Sequence, residues 1–275
     1  MKIVIESGSS KSDWAFEYQG STLFASSSGI NPTSQIAQKI DFEGNFPNHL
    51  IQKAKQIYFY GAGTKSFESQ QLIIKILREY GATGTIEVYS DLLGAARASC
   101  MSKQGIVCIL GTGSNICYYD GINIHQKTPA LGYILGDEGS GFQIGKTILQ
   151  SYFYQQMPEN IYQTFEKKYS LTLEMVLQNV YKKSGNNTFI ASFASFLEDC
   201  PQNWKNEILS PIFHSFVKQK MLIYPNIKQA PVHFVGSIAF HFQRELSDIL
   251  SQYDVQIKSI LHKPLENLLS YHQRE

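Results

Sequence analysis

Neither sign of charge dominates this sequence: 24 Lys and Arg stand against 23 Asp and Glu over 275 residues, a formal net charge of +1. That balance leaves no global field to recruit nucleic acid or an anionic membrane surface. Lys182-Lys183 is too short to make a basic patch. Long apolar runs are missing too. None approaches the roughly 20 residues of a membrane-spanning helix, and the opening MKIVIESGSS turns polar after Ile5, so no secretory leader is expected. Cysteine is scarce and unpaired: Cys100, Cys108, Cys117 and Cys200 form no CxxC. Free thiols in a reducing cytoplasm are the expectation. The seven histidines show no HExxH or similar ligand spacing.

With 43% hydrophobic and 17% charged residues the chain reads as soluble and globular, long enough for two modest domains with separate cores. The stretch from Ile106 to Gly145 organises it. Ile106-Val107-Cys108-Ile109-Leu110 is an apolar run of a strand buried on both faces. It breaks into Gly111-Thr112-Gly113-Ser114-Asn115, where small residues let backbone N–H groups approach a phosphate and hydroxyls add donors. Further on, Gly136-Asp137-Glu138-Gly139-Ser140-Gly141 sets two carboxylates among glycines just before a helical pattern. Together they suggest a nucleotide and metal site; the plainer alternative is a Gly-rich hairpin followed by a capped helix.

Upstream, strands are expected at Lys2–Glu6, Trp14–Tyr18 and Thr22–Ala25, with a loop and helix start at Asn31-Pro32-Thr33. A strand at Ile57–Tyr60, a helix over Phe67–Tyr80 stopped by Gly81, a strand at Ile86–Tyr89 and an Ala-rich helix over Leu92–Met101 follow. This is the order of an α/β domain. The pattern of strand, small-residue turn, strand, turn and strand at 2–25 then recurs at 106–126, a weak internal repeat. Two such hairpins facing each other could clamp a polyphosphate. Residues 146–230 read as mostly helical, and their aromatics recur at core spacing. Gly185-Asn186-Asn187 reads as a turn, Val232–Val235 as a strand ending at Gly236-Ser237, and Ile238–Leu250 as one helix. Ile257–Leu261 is a last strand, and Pro264 starts a terminal helix.

Ser140-Gly141-Phe142-Gln143-Ile144-Gly145-Lys146-Thr147 departs from a P-loop only at its first glycine. A P-loop follows directly on a buried strand. Here Asp137 and Glu138 precede it and would repel phosphates, so Gly145 and Lys146 are read as helical.

The set Glu6-Ser7-Gly8-Ser9-Ser10-Lys11, Gly29-Ile30-Asn31-Pro32, Ser90-Asp91, Gly111-Thr112-Gly113-Ser114-Asn115, Gly136-Asp137-Glu138-Gly139-Ser140 and Val235-Gly236-Ser237 resembles the superfamily of sugar kinases, heat-shock ATPases and actin. More narrowly it is similar to the N-acetylglucosamine kinase branch, which also holds the ATPase activators of benzoyl-CoA reductase. The match runs through nearly the whole chain, and GTGSN with GDEGS is its specific part. The resemblance implies an α/β fold of two duplicated actin/ribonuclease H-like domains with an interdomain cleft. It implies an N-terminal domain over 1–104, a C-terminal domain with a helical insertion over 105–263, and a terminal helix over 264–275 that packs back on the first.

It further implies ATP phosphates held at Gly8, Ser9, Ser10 and Lys11 and at Gly111, Thr112, Gly113, Ser114 and Asn115, with Gly236 and Ser237 beside the adenosine. Asn31, Gly132, Asp137, Asp91 and Thr112 would meet the sugar, Asp91 as the catalytic base, and Glu6 would lie near Mg²⁺ carried by the nucleotide. Two departures stand out. Glu6, Ser7 and Ser9 replace the commoner Asp and glycines, and Leu131-Gly132-Tyr133 stands where a well-known branch has Trp-Gly-His. Plainer readings of single residues stay open: a solvated strand end for Glu6, turn initiation for Asn31, a helix N-cap for Asp91, a loop position for Asp137.

The expectation is an ATP-dependent kinase of an amino sugar, N-acetylglucosamine foremost, cytoplasmic, a possible homodimer, without nucleic-acid or membrane partners. The alternatives are an ATPase driving a partner redox enzyme, which would want cysteines for an iron–sulfur cluster, and a non-enzymatic sugar sensor. A DNA-reading sensor is not expected, since the first hairpin opens the chain and no helix-turn-helix precedes it.

Overall fold

The computed structural model describes residues 1–8, 11–18, 20–30, 32, 40–43, 49–182 and 185–274. The roles expected of Ser9, Ser10 and Asn31 lie outside them. The chain divides into two compact units: Met1–Lys103 with Gly121–Ile124 and Lys263–Glu275, and Gln104–Asp120 with His125–His262.

In the first unit the order is β1 (Lys2–Ser7), β2 (Lys11–Tyr18), β3 (Ser21–Ser28), α1 (His49–Lys53), β4 (Gln56–Gly61), α2 (Phe67–Glu79), β5 (Thr85–Ser90) and α3 (Asp91–Cys100). The sheet order is β3-β2-β1-β4-β5; β1 pairs antiparallel with β2, while β1, β4 and β5 run parallel. Ile3, Val4 and Ile5, like Ile57 and Phe59, are fully buried, because a central parallel strand is covered on both faces. Ser-rich β3 lies at the edge and leaves Leu23 and Phe24 exposed. In α2, Ser66 caps the N-terminus, Ile73, Ile76 and Leu77 face the core, and Gly81 leaves the helix with a left-handed φ of 89°.

The second unit repeats the scheme with β6 (Gly105–Leu110), β7 (Ser114–Tyr119) and β8 (Ile124–His125). A helical stretch follows: α4 (Gly132–Leu135), α5 (Gly141–Phe153), α6 (Glu159–Tyr169), α7 (Leu173–Tyr181), α8 (Asn186–Ser192), a 3-10 segment (Phe193–Asp199), α9 (Gln202–Phe216) and a π-helical turn (Val217–Met221). Then come β9 (Val232–Val235), α10 (Ser237–His241), α11 (Gln243–Ser251), β10 (Ile257–Leu261) and α12 (Leu265–Arg274). The sheet order is β10-β9-β6-β7-β8, with β6 antiparallel to β7 and parallel to β9, and β9 parallel to β10. Strand for strand this matches the first sheet. The aromatics of the helical stretch pack as a core: Phe165 lies 4.9 Å from Phe196, edge to face, and Phe196 lies 6.1 Å from Trp204. In the first unit α12 packs on α3, β1 and β2.

Some local expectations change. The single helix over 238–250 is two helices, because Phe242 leaves helical geometry at φ −110° and ψ 31° while its side chain stays in the core. Gly185 supplies the left-handed turn, and Asn186 already opens α8. Ser140 caps α5 through the Gln143 N–H, and Gly145 lies inside that helix, where a Cβ would come 1.9 Å from the Ile190 carbonyl oxygen of α8. The glycine of the P-loop look-alike thus serves close helix packing.

Candidate active site

In the first unit, acidic groups gather at the C-terminal ends of β1 and β5. Glu6 stands opposite Asp13 across the β1–β2 pair, and Asp91 opens α3 directly after β5. Loss of water pushes the Glu6 carboxyl up to about 7; the like charges of Asp13 and Asp91 add to this and Lys263 opposes it. Lys263 Nζ lies 2.6 Å from Asp13 Oδ2, and the Ser26 hydroxyl donates to Asp13 Oδ1 at 2.8 Å. Among the described residues no three acidic, His or Cys side chains are arranged as a metal cage. The donors are all oxygen, however, and a desolvated carboxylate beside like charges favours a cation. That fits Mg²⁺, a hard ion that keeps water and phosphate oxygens as its other ligands.

The N-cap of α3 is Ser90, not Asp91. Ser90 has the extended backbone a cap needs, and its Oγ accepts from the Leu93 N–H at 3.2 Å. Asp91 stands at the first helical position, where Oδ1 accepts from the Leu92 N–H at 2.8 Å. The plain capping account of Asp91 therefore passes to its neighbour. Ser7 is buried: its hydroxyl donates to the Ile30 carbonyl at 3.0 Å and accepts from the Ile30 N–H at 2.9 Å, with Ser12 Oγ 2.7 Å away. A serine at this position ties the end of β1 to the exit of β3, which a glycine could not do. The Gly8 N–H donates to the Lys11 carbonyl at 2.9 Å, while the exposed Lys11 ammonium pairs with Glu43 at 3.1 Å.

In the second unit three turns meet. The Gly141 N–H donates to the Gly111 carbonyl at 2.8 Å and the Phe142 N–H to the Thr112 carbonyl at 3.0 Å, so the acidic turn sits on the loop after β6. Asp137, held at a left-handed φ of 59°, accepts the Ser114 N–H on Oδ1 at 3.1 Å. A Cβ on Gly113 would come 2.7 Å from Asp137 Oδ2. Gly236, at φ 121°, approaches so closely that a Cβ would come 2.4 Å from the Leu110 carbonyl oxygen. Burial raises the Asp137 carboxyl above its ordinary range, while the Ser114 N–H and Lys220 pull it back. Beside it, the partly buried Glu138 pairs with the buried Lys220 at 3.4 Å.

Among the described residues the N–H groups of Thr112 and Gly113 have no hydrogen-bond partner, and the buried Ser114 Oγ has none either. This is a loop with free donors and no room for a side chain at Gly113, which suits phosphate oxygens. The Asn115 side chain is otherwise engaged: its Oδ1 accepts from Gln126 Nε2 at 2.8 Å and from the Ile116 N–H at 3.0 Å. Gly132 opens α4 at a left-handed φ of 72°, flanked by exposed Leu131, Ile134 and Leu135. Ser237 is exposed at the start of α10.

Sequence reading missed Asp13, Lys263 and Lys220. The first was within reach: a hairpin turning between Gly8 and Lys11 places position 13 opposite position 6. The two lysines come from distant segments and left no local signal.

No protein-family model matches the chain. Among solved structures, a protein of Porphyromonas gingivalis provisionally named an N-acetylglucosamine kinase is 34% identical, covering 100% of this chain and 99% of that one at a TM-score of 0.84. A second, from Chromobacterium violaceum and named in the same way, is 13% identical over 98% of both chains at a TM-score of 0.68, a likeness of fold. An N-acetylmuramic acid/N-acetylglucosamine kinase of Clostridium acetobutylicum is 31% identical over 132 residues. That match spans 45% of this chain and 42% of the relative, less than half the length of either.

Proposed function

The chain belongs to the N-acetylglucosamine kinase family, and on that premise we propose that it transfers the terminal phosphoryl group of ATP to a hydroxyl of an amino sugar, N-acetylglucosamine foremost. The observation that carries the reading is the loop after β6, whose Thr112 and Gly113 N–H groups are free while Asp137 is held against it. Phosphoryl transfer asks for positioning and charge neutralisation more than for a reactive side chain, and free backbone donors beside a fixed carboxylate supply both.

In this reading Gly111–Asn115 and Gly8–Lys11 hold the phosphates, and Gly236 and Ser237 lie beside the adenosine. Asn31, Gly132, Thr112 and Asp137 orient the sugar. Asp91 takes the proton of the attacking hydroxyl late in the transfer, when a loose transition state first requires it. Mg²⁺ bound with the nucleotide neutralises phosphate charge, and Glu6 is the residue that would hold it or its waters. Free cysteines and the need for ATP support a cytoplasmic setting. A homodimer is part of the proposal, tested by light scattering of the eluted protein.

A coupled assay of ADP release tests the function over N-acetylglucosamine, glucosamine, N-acetylmuramic acid, N-acetylmannosamine and glucose. Release that depends on an N-acetylated sugar is expected. Sugar-independent release would support an ATPase activator instead, and none at all a sensor.

A further inference from the structure

The acidic turn at 136–141 meets the end of α9. Phe216, the last residue of that helix, is fully buried and lies so close that a Cβ on Gly139 would come 2.9 Å from its own Cβ. Directly after Phe216 the helix widens into the π-helical turn Val217–Met221, where the Leu222 N–H donates to the Val217 carbonyl at 3.0 Å, five residues back. Val217 and Met221 fill the core, and between them Lys220 is only 7% exposed. Lysine is almost never buried unless it is paired, and π-helical turns are frequent at functional sites.

Its ion-pair partner is Glu138, whose Oε2 lies 3.4 Å from the Lys220 Nζ, is itself buried and has no hydrogen-bond partner among the described residues. A buried ion pair is often no more stabilising than apolar side chains of similar volume, so stability alone gives no reason for this one. Its position does. Asp137 is the residue before Glu138, pinned by the Ser114 N–H against the loop after β6. Burial is the largest influence on the Asp137 carboxyl and raises it; the Ser114 N–H and then Lys220 pull it down, and Glu138, with the smallest effect, pushes it up. Among the described residues Lys220 is thus the cation, and Glu138 the anion, that bear on Asp137.

We propose that Lys220 is a positioning residue: Glu138 holds its ammonium beside the acidic turn, where it keeps Asp137 an anion ready to accept hydroxyl protons of the sugar as hydrogen bonds. The inference rests on the kinase reading and deepens it, because it gives the sugar-binding carboxylate a buried cation drawn from a distant segment. The lysine touches no substrate and acts only through Asp137.

The test compares the full chain with Lys220→Met, Asp137→Asn, Asp137→Asn/Lys220→Met and Glu138→Gln/Lys220→Met. N-acetylglucosamine and the other sugars of the coupled assay are titrated calorimetrically, without nucleotide, from acid to neutral pH. Carboxyl NMR shifts of aspartate-labelled protein follow Asp137 directly, assigned by the signal lost in Asp137→Asn. In Lys220→Met the Asp137 midpoint should rise. Sugar affinity should then fall at acid pH by about tenfold for each pH unit of that rise, and should equal the parent's where both chains are ionised. The Glu6 carboxyl, raised by burial to about 7, is common to all the chains and cancels in the comparison. On the Asp137→Asn background, Lys220→Met should leave sugar affinity unchanged at every pH. Lys220→Met alone strands the Glu138 charge and should lose melting temperature, whereas Glu138→Gln/Lys220→Met strands none and should regain it. The midpoint of that double variant should still exceed the parent's, because Lys220 outweighs Glu138. An Asp137 midpoint that neither lysine variant moves overturns the proposal and leaves the kinase reading standing. So does a midpoint that moves without the affinity, or an affinity loss equal at every pH and on both backgrounds, as a merely structural lysine would give. A parent that binds none of the sugars overturns the kinase reading, and the role of Lys220 with it.

Discussion

The two sheets of this protein share one strand order, and the C-terminal ends of their first strands stand in opposite surroundings. At the end of β1 the surroundings are acidic: the charges of Asp13 and Asp91 bear on Glu6, and Lys263, paired with Asp13, opposes them. After β6 the chain presents donors: the N–H groups of Thr112 and Gly113 are free among the described residues, and the one carboxylate against them, Asp137, is pinned by the Ser114 N–H. A duplicated scaffold fixes where a turn falls but not its charge. The acidic end of β1 suits proton and cation chemistry, and the amide-rich loop after β6 suits anions.

The sharpest way to break this contrast is to remove acidity from the first unit's cluster without disturbing its geometry. Asp91→Asn does so. Ser90 remains as the cap of α3, and an amide oxygen can still accept the Leu92 N–H that Asp91 Oδ1 accepts at 2.8 Å. Melting temperature should stay at the parent value. If Asp91 takes the sugar proton, turnover should fall by about 10²–10⁴-fold, with calorimetric sugar affinity changed far less. Turnover near the parent's with binding intact would sink the assignment.

A paired glycine substitution comes next in size. Gly113→Ala would drive a Cβ to 2.7 Å from Asp137 Oδ2, so the loop or the carboxylate must move. Displacing a positioned group by about 1 Å costs on the order of 10²-fold in rate, and forced packing costs about 1–3 kcal/mol of stability. Gly8→Ala meets only the Lys11 carbonyl oxygen at 3.6 Å among the described residues, and its φ lies outside the left-handed range. There an added methyl should stabilise by about 0.4–1 kcal/mol, through the unfolded chain. Denaturant melts of the two variants check the sign. Equal shifts in the same direction would show that the two turns are alike after all.

Much of this was legible in the sequence. The runs of β1, β4 and β9 read as strands and that of β6 as a strand buried on both faces, and the recurrence of strand, turn and strand carried the duplication. The GTGSN and GDEGS motifs marked the loop and acidic turn that prove to be hydrogen-bonded together. Three things were not legible. The cap of α3 depended on a one-residue choice between Ser90 and Asp91, both good caps by type. The break at Phe242 arises where a helical pattern continues in sequence but the backbone turns to bury an aromatic ring. Lys220 reaches Glu138 from a π-helical turn some eighty residues on, and no local periodicity reports a contact of that separation.

The smallest expected effect sharpens the contrast from the other side. Burial raises the Asp137 carboxyl above 3.8 in the folded protein, against the pull of the Ser114 N–H and Lys220. A carboxyl whose folded value is raised ionises first in the unfolded chain. Its ionisation therefore subtracts stability as pH rises through 3.8 and beyond the folded value, and subtracts none well below 3.8. Asn cannot ionise, tolerates the left-handed φ of 59° and keeps an oxygen for the Ser114 N–H. Asp137→Asn should thus match the parent in melting temperature at low pH and exceed it slightly at neutral pH, by about 0.5 kcal/mol or less as for most partly exposed positions. The same variant should lose activity if Asp137 orients the sugar. A protein made a little more stable and much less active would mean that the carboxylate is kept for binding at a cost to the fold. A variant less stable than the parent at neutral pH would mean instead that the charge holds the turn together with Lys220, and Asp137 would then be a structural residue of the second unit.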